Sequence, residues 1–280
     1  MPRRRRAVVW LLRSTSPERR GVAWWDLSEI AVAAVGFLLY FLVRGAVVDR
    51  DAEAFAHAHD IVNLEFALGM FWEPRVQEWI LGSELLWRTM NFVYFWFDFP
   101  LIVGVGLILF WARRNQYTLL RDACLASGGL ALVLYWSYPV APPRFLTEYG
   151  FIDTLEVFSN LSYQAQSMQP FVNPYAAMPS LHVGWSLLLL IVVARSTRSS
   201  LARLGAVGAL VLQSVSVVGT GNHYVLDGVV GIVVSLGGLA IAFWLQRTGY
   251  PLLRRRLAAL ASPDASLEAP RVPTRGLADR

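Results

Sequence analysis

The chain has 280 residues, of which 55% are hydrophobic and only 16% charged, with a mean hydropathy of +0.44. A water-soluble domain of this length needs more charge to cover its surface, so an ordinary soluble enzyme is excluded. All 25 basic residues are arginine and the net charge is +5, which excludes chemistry through a Schiff-base or phosphate-binding lysine. The apolar runs lack period-2 alternation and are each about 20 residues long, which rejects a β-barrel and indicates an all-α, polytopic membrane protein. Residues 1–27 carry Arg3–Arg6, Arg13, Arg19 and Arg20 and read as a cytoplasmic basic tail, because Ala7–Leu12 is too short for a signal-peptide core. Ile30–Val48 is the first span, with Arg44 near its far end.

Asp51–Glu84 is mixed in character. Val62, Phe66 and Met70 are spaced for a helix lying in the interface and ending near Pro74. On that reading Glu65 and Glu73 form its wet face, and His57 and His59 belong to a solvated loop. The second span covers Leu86–Trp111 and contains Asn91, Asp98 and Pro100; the third covers Leu119–Tyr138 and is stopped by Pro139-Val-Ala-Pro-Pro-Arg144. A long outer loop, Phe145–Ala177, is polar but rich in aromatic residues, which suits packing at a membrane surface. Spans four, five and six cover Ser180–Ala194, Leu201–Gly219 and Tyr224–Leu245, and Ser262–Arg280 has the composition of a disordered segment. The expected organisation is a basic tail (1–27), a six-helix membrane catalytic domain (28–246) and a second basic tail (247–280).

Arginines set the orientation. The connection between spans two and three carries Arg113, Arg114 and Arg121, that between four and five carries Arg195, Arg198 and Arg203, and the C-terminal segment carries Arg247 and Arg254–Arg256. The turn between five and six has none, and the outer loop has Arg144 alone. The bias puts both termini in the cytoplasm of a plasma-membrane protein and the polar stretches outside. It also reads as membrane topology, not as a nucleic-acid surface. With one cysteine, Cys124, no intrachain disulfide is possible, and the four scattered histidines offer no metal-ligand spacing.

Two polar islands flank the hairpin of spans four and five: Met178-Pro-Ser-Leu-His182 and Thr220-Gly-Asn-His-Tyr-Val-Leu-Asp227. His223 and Asp227 are four residues apart, so on a helix they share a face, and a carboxylate there can hold an imidazole in one tautomer. That suits a histidine nucleophile attacking phosphorus. Ser180 is placed to cap span four, with His182 in its first turn as a general acid for a leaving alkoxide. The N-terminus of that helix favours an anion. Arg144 can grip phosphate oxygens in a bidentate way, Asn222 can add an amide beside His223, and Arg44 could assist. Asp98 is an ionisable group inside a span, either structural or functional, with Arg44 as a possible partner.

Taken together, Tyr138-Pro-Val-Ala-Pro-Pro-Arg144, Met178-Pro-Ser-Leu-His182 and Thr220-Gly-Asn-His-Tyr-Val-Leu-Asp227 resemble the motifs of the type 2 phosphatidic acid phosphatase superfamily, closest to its inositol phosphorylceramide synthase-like branch. The resemblance implies that His182 is the general acid, His223 the nucleophile and Asp227 its orienting partner. Two cations of the broader pattern have no counterpart: Ser137 and Val217 stand at their positions, and Phe145 replaces a proline after Arg144. The expectation is an integral-membrane lipid phosphatase or phosphotransferase without cofactor or metal. Its partners would be a lipid phosphate in the bilayer and, for a transferase, an alcohol such as an inositol-type or lipid acceptor. A non-catalytic lipid-head-group binder or transporter would keep Arg144 but tolerate loss of His223. A metal-dependent alcohol phosphotransferase calls for clustered aspartates, whereas Asp227-Gly228 is followed by Val229-Val230.

Overall fold

The computed structural model describes residues 30–31, 33–38, 50–159 and 173–261. Arg44, the N-terminal tail, Ser262–Arg280 and positions 160–172 of the outer loop lie outside them. Helix α1 (Asp51–Leu68) opens with Asp51 and Glu53 against the positive end of its dipole and closes on Gly69, a left-handed residue at φ 67°. Helix α2 (Glu73–Leu81) follows, with Pro74 in its first turn, where a missing N–H costs nothing. Pro74 therefore starts a second helix, and the glycine, not the proline, ends the first. His57 and His59 lie on α1, not in a loop; the His57 ring stacks on Tyr138 at 3.7 Å and its Nδ1 is 2.8 Å from Pro139 O.

Helix α3 (Glu84–Ala112) is α-helical to Phe92, makes a π turn at Val93–Phe97 and resumes at Asp98. Helix α4 (Arg114–Ser137) returns. The short α5 (Thr154–Ser159) is capped by Asp153, whose Oδ1 accepts the Leu155 and Glu156 N–H groups at 3.0 and 3.1 Å. Helices α6 (Leu181–Ser196) and α7 (Ser200–Gly219) form a hairpin, and Ser199 Oγ caps α7 by accepting the Ala202 N–H. Helix α8 (Val225–Trp244) continues through a π turn at Leu245–Gly249 into α9 (Tyr250–Ala261), beyond residue 246, where the membrane segment was expected to end.

Among the described residues, four helical stretches are long and apolar enough to cross a membrane: Glu84–Ala112, Arg114–Ser137, Ser200–Gly219 and Val225–Leu257. They correspond to the expected second, third, fifth and sixth spans. The expected fourth, α6, is apolar but has 16 residues, fewer than the roughly 20 needed to cross squarely. Of the expected first span, residues 30–31 and 33–38 are described and helical; Phe37 meets Phe99 and Trp185 edge-on at 6.1 and 5.7 Å. Outward-facing positions on the long helices are apolar, such as Ile108, Val133 and Val233, each more than 60% exposed. Such a surface fits a lipid solvent.

Helix α8 packs between α4 and α6, and small residues set the distance. A Cβ on Gly231 would lie 2.1 Å from Ser180 O, and one on Gly184 would lie 2.1 Å from Ser235 Oγ. On the other face, a Cβ on Gly238 would lie 2.6 Å from Ala123 O. Close backbone approach through small residues is the usual way helices associate where lipid removes the hydrophobic drive. Because consecutive helices run in opposite directions, the turns bearing Arg113/Arg114 and Arg195/Arg198 lie at one end of the bundle and the polar islands at the other. Arg121 is not a loop residue: it sits inside α4, 2.8 Å from Asp122, whose Oδ2 accepts the Tyr250 hydroxyl at 2.7 Å and ties α9 to α4.

Gly231→Ala is expected to push the start of α6 away from α8 and to destabilise the fold by about 1–3 kcal/mol, the usual cost of overpacking. A thermal melt of the detergent-solubilised protein checks this, with Gly208→Ala, on open space in α7, as the neutral control.

Candidate active site

Three polar stretches that are far apart in sequence are joined through their main chains. The Arg144 N–H donates to Gly221 O at 2.7 Å, and the Ser180 N–H donates to Asp227 O at 2.9 Å. The Val140 N–H donates to Tyr175 O at 2.8 Å and the Ala177 N–H to Val140 O at 3.3 Å. Two buried phenols complete the weave: Tyr135 donates to Pro179 O and Tyr224 to Ala141 O, at 2.8 and 3.0 Å. The prolines of Pro139–Pro143 have no N–H to place, which lets this stretch run between helices with few donors to satisfy.

His223 sits in the turn before α8. Its Nδ1 is 2.8 Å from Ala177 O and 3.3 Å from Asp227 Oδ2. Both neighbours are acceptors, so Nδ1 carries the proton and the neutral ring keeps its lone pair on Nε2. The closest partner is thus a backbone carbonyl, which sequence spacing does not reveal. Asp227 is the longer contact, and its Oδ2 also accepts the Tyr224 N–H at 2.9 Å. The His182 ring, in the first turn of α6, lies with its centroid 5.8 Å from that of His223 in an edge-on arrangement. Tyr94, from the π turn of α3, lies 4.9 Å from His182 and 6.4 Å from His223. The extra residue of that turn is what sequence periodicity misses, and with it the approach of Tyr94.

Ser180 occupies the N-cap position of α6, as expected, but its hydroxyl makes no capping bond. Its Oγ is buried and has no hydrogen-bond partner among the described residues. A hydroxyl and a helix N-terminus beside two histidines form a place for an anion. Arg144 stands at the same end. Its Nε is 3.1 Å from Asp153 Oδ2 and its Nη1 donates to Asn222 Oδ1. Asn222 Nδ2 in turn donates to Thr220 Oγ1 at 2.8 Å, so Asn222 orients the guanidinium through its carbonyl oxygen and does not offer an amide to a ligand. Gly221 makes this turn possible. Its φ is 71°, and a Cβ there would lie 2.9 Å from Gln77 Nε2 and 3.4 Å from Arg144 Cβ.

The structure thus brings His182, His223, Asp227, Ser180, Asn222 and Arg144 to one end of the bundle, while Arg44 lies outside the described residues. Asp98 is buried on α3, with Ser186 Oγ 3.4 Å away as donor. Glu65 and Glu73 are not a wet face. Both are fully buried and accept N–H groups at the start of α8, because α1 and α2 fold over the site. Gln77 on α2 is also buried and clamps the loop at Ile152, donating to its O and accepting its N–H at 3.1 and 3.0 Å. Three buried polar residues in a nominally amphipathic helix pair are a signal that periodicity alone reads as solvent exposure. Among the described residues, no group of three or more His, Cys, Asp or Glu side chains is arranged to hold a metal ion.

A pair of histidines, one tautomerically fixed, beside an arginine and a helix N-terminus at one end of an apolar helical bundle is an arrangement that can receive an anion next to a nucleophilic nitrogen. The family assignment agrees. The model of the PAP2 superfamily matches residues 59–241, more than half of the chain, and the chain belongs to that superfamily. Membership implies a phosphoesterase acting on lipid phosphate esters in a membrane. No curated protein and no solved structure matches the chain.

Asn222→Ala is expected to leave the fold intact and to release one side of Arg144. Losing one hydrogen bond to a charged group is worth about 1.5–3 kcal/mol, so turnover of a lipid phosphate at low substrate concentration should fall roughly 10- to 100-fold. Steady-state kinetics on the purified protein test this; an unchanged kcat/KM would remove Asn222 from the site.

Proposed function

We propose that the chain is an integral-membrane lipid phosphatase or phosphotransferase that works through a phosphohistidine, on the pattern of the inositol phosphorylceramide synthase-like branch. The observation that carries this reading is the fixed tautomer of His223: with Nδ1–H held by Ala177 O and Asp227, Nε2 is the nucleophilic atom. In the first step Nε2 attacks phosphorus, the P–O bond to the leaving alcohol breaks, and His182 gives its proton to the departing oxygen. Asp227 and the Ala177 carbonyl stabilise the ring as it becomes cationic. In the second step neutral His182 takes a proton from water or from an acceptor hydroxyl, that oxygen attacks phosphorus, and the P–N bond breaks to regenerate His223.

Negative charge that builds on the phosphoryl oxygens meets Arg144, the Ser180 hydroxyl and the N–H groups opening α6. Arg44 is proposed as a further cation at the substrate. The acceptor distinguishes the two outcomes: water gives a phosphatase, and an inositol-type or lipid alcohol gives a transferase. The arginine-bearing turns at the opposite end of the bundle support a site on the extracytoplasmic face of a plasma membrane, with six spans and both termini in the cytoplasm.

Phosphatidic acid, a polyprenyl phosphate and phosphatidylinositol, each offered with and without a lipid alcohol, identify the reaction by its products. His223→Ala is expected to abolish every product, and equal products from variant and wild type would overturn the catalytic reading. His182→Gln should lower kcat by about 10²–10⁴-fold on a lipid alkyl ester, the usual value of a general acid. It should lower kcat far less on a p-nitrophenyl ester, whose leaving group departs without a proton. Activity is expected to survive EDTA; loss in EDTA with restoration by a divalent cation would count against this route.

A further inference from the structure

Helix α8 opens with Val225 and Leu226, whose N–H groups donate to Glu73 Oε1 and Glu65 Oε1, both at 2.8 Å. The two acids come from separate helices, α2 and α1, and both are 0% exposed. Because they accept the N–H groups of consecutive residues, the two carboxyl groups stand side by side, and the second oxygen of each, Oε2, is buried with no hydrogen-bond partner among the described residues. Two ionised carboxylates in contact, buried and without a donor between them, repel. One proton between them turns the repulsion into a short O–H···O⁻ bond.

We infer that Glu65 and Glu73 form a proton-sharing carboxyl pair that positions His223 by capping helix α8 with a single negative charge. The inference rests on the phosphohistidine reading above. Neither acid touches the substrate; both act through the turn that carries the histidine. The three N–H groups of Tyr224, Val225 and Leu226 are taken by Asp227, Glu73 and Glu65 in order, which fixes that turn against the Ala177 carbonyl. The pair also closes the N-terminus of α8 to anions. A substrate phosphate is thereby steered to the N-terminus of α6, where Ser180 and His182 stand.

Glu65 holds the proton: burial, then its contact with Glu73, push its carboxyl up to about 9, against the pull of the Leu226 N–H. The other titratable groups facing the pair are Asp227 on α8 and Tyr224 in the turn before it; His223 is linked to them through Asp227, and Glu148 of the outer loop acts on Tyr224. The sign follows directly. Below about pH 9 the shared proton is present and the cap is whole; above it two like charges face one another and the cap opens. Because the folded state holds this proton more tightly than the ordinary 4.5 of a glutamate, stability falls between pH 4.5 and about 9 and levels off above.

The test uses the full-length protein in detergent and whichever of the three phospholipids the wild type turns over. Glu65→Gln copies the protonated acid, since its amide donates to Glu73 and its oxygen accepts the Leu226 N–H. Its kcat at pH 7 is expected to stay within about threefold of wild type, and the alkaline fall near pH 9 should disappear. Glu65→Leu removes both contacts and should lower kcat by at least about tenfold with KM nearly unchanged. Overturning results are a Glu65→Gln protein as impaired as Glu65→Leu, a Glu65→Leu protein with normal kcat, or a wild-type profile flat through pH 9. Size-exclusion profiles check folding, and if Glu65→Leu does not fold, the Glu65→Gln profile decides alone. His223→Ala separates the two levels: full activity in it sinks the phosphohistidine reading, whereas its inactivity beside a normal Glu65→Leu sinks only the pair.

Discussion

The start of helix α8 presents consecutive N–H groups that no helical carbonyl can reach, at a partly buried place under α1 and α2. Leaving such donors unpaired costs about 1–3 kcal/mol each, so acceptors must be supplied, and the chain draws them from three separate regions. Asp227 serves Tyr224 from within the helix, Glu73 serves Val225 from α2, and Glu65 serves Leu226 from α1. This demand explains why two helices that precede the apolar bundle fold over the site instead of lying free on a membrane surface. It also explains how His223 can be held rigidly in a turn, where a loop histidine would otherwise wander.

The same economy of acceptors recurs in the main chain. In the proline-rich stretch after α4 three prolines remove donors, and the N–H groups of Val140, Ala141 and Arg144 all find carbonyls, so it can pass between the two histidine islands and bond beside both. Glycines then let the helices close on this arrangement. Gly231 admits the carbonyl of Ser180, and Gly221 admits Gln77 and the stem of Arg144. Larger residues at either point would separate the anion-binding helix start from the nucleophile, which are useful only together. The site is thus a property of backbone proximity, with side chains added at the points where backbones meet.

Much of this was legible in the order of residues. The long apolar runs mark four of the helices, three of them to within about five positions at each end, while the last runs on to Leu257, past the expected Leu245; hydrophobic length is a direct signal of a membrane solvent. The two histidine islands were found because polar groups at the ends of apolar helices are conspicuous, and the family motif in them is borne out at the level of the superfamily. What failed shares a cause. Glu65 and Glu73 stand among apolar residues just as a solvated face does, and nothing local distinguishes an acid that faces water from one that faces a helix terminus. The His223–Asp227 contact is present as the spacing indicates, at 3.3 Å, but the nearer Ala177 carbonyl is not legible, since main-chain acceptors leave no trace in residue identity. Pro74 alone suggests a stop, but its effect on a helix depends on whether it stands first or inside, and with Gly69 ending α1 it stands in the first turn of α2.

The π turn at Val93–Phe97 divides helix α3 into halves that no longer share a face. Each residue of an α-helix advances roughly 100° around the axis, so one additional residue rotates everything beyond it by about that angle. On one side of the turn Asn91 reaches Thr154 under the outer loop; within it Tyr94 reaches the histidines; beyond it Asp98 reaches Ser186 on α6. A single continuous stripe could not address these three neighbours in turn. Shortening the segment by one residue would therefore act as a change of gear: the half below would keep its composition and length yet turn by about a quarter of the circumference, carrying Asp98 off Ser186 and part of the outward face toward the neighbouring helices.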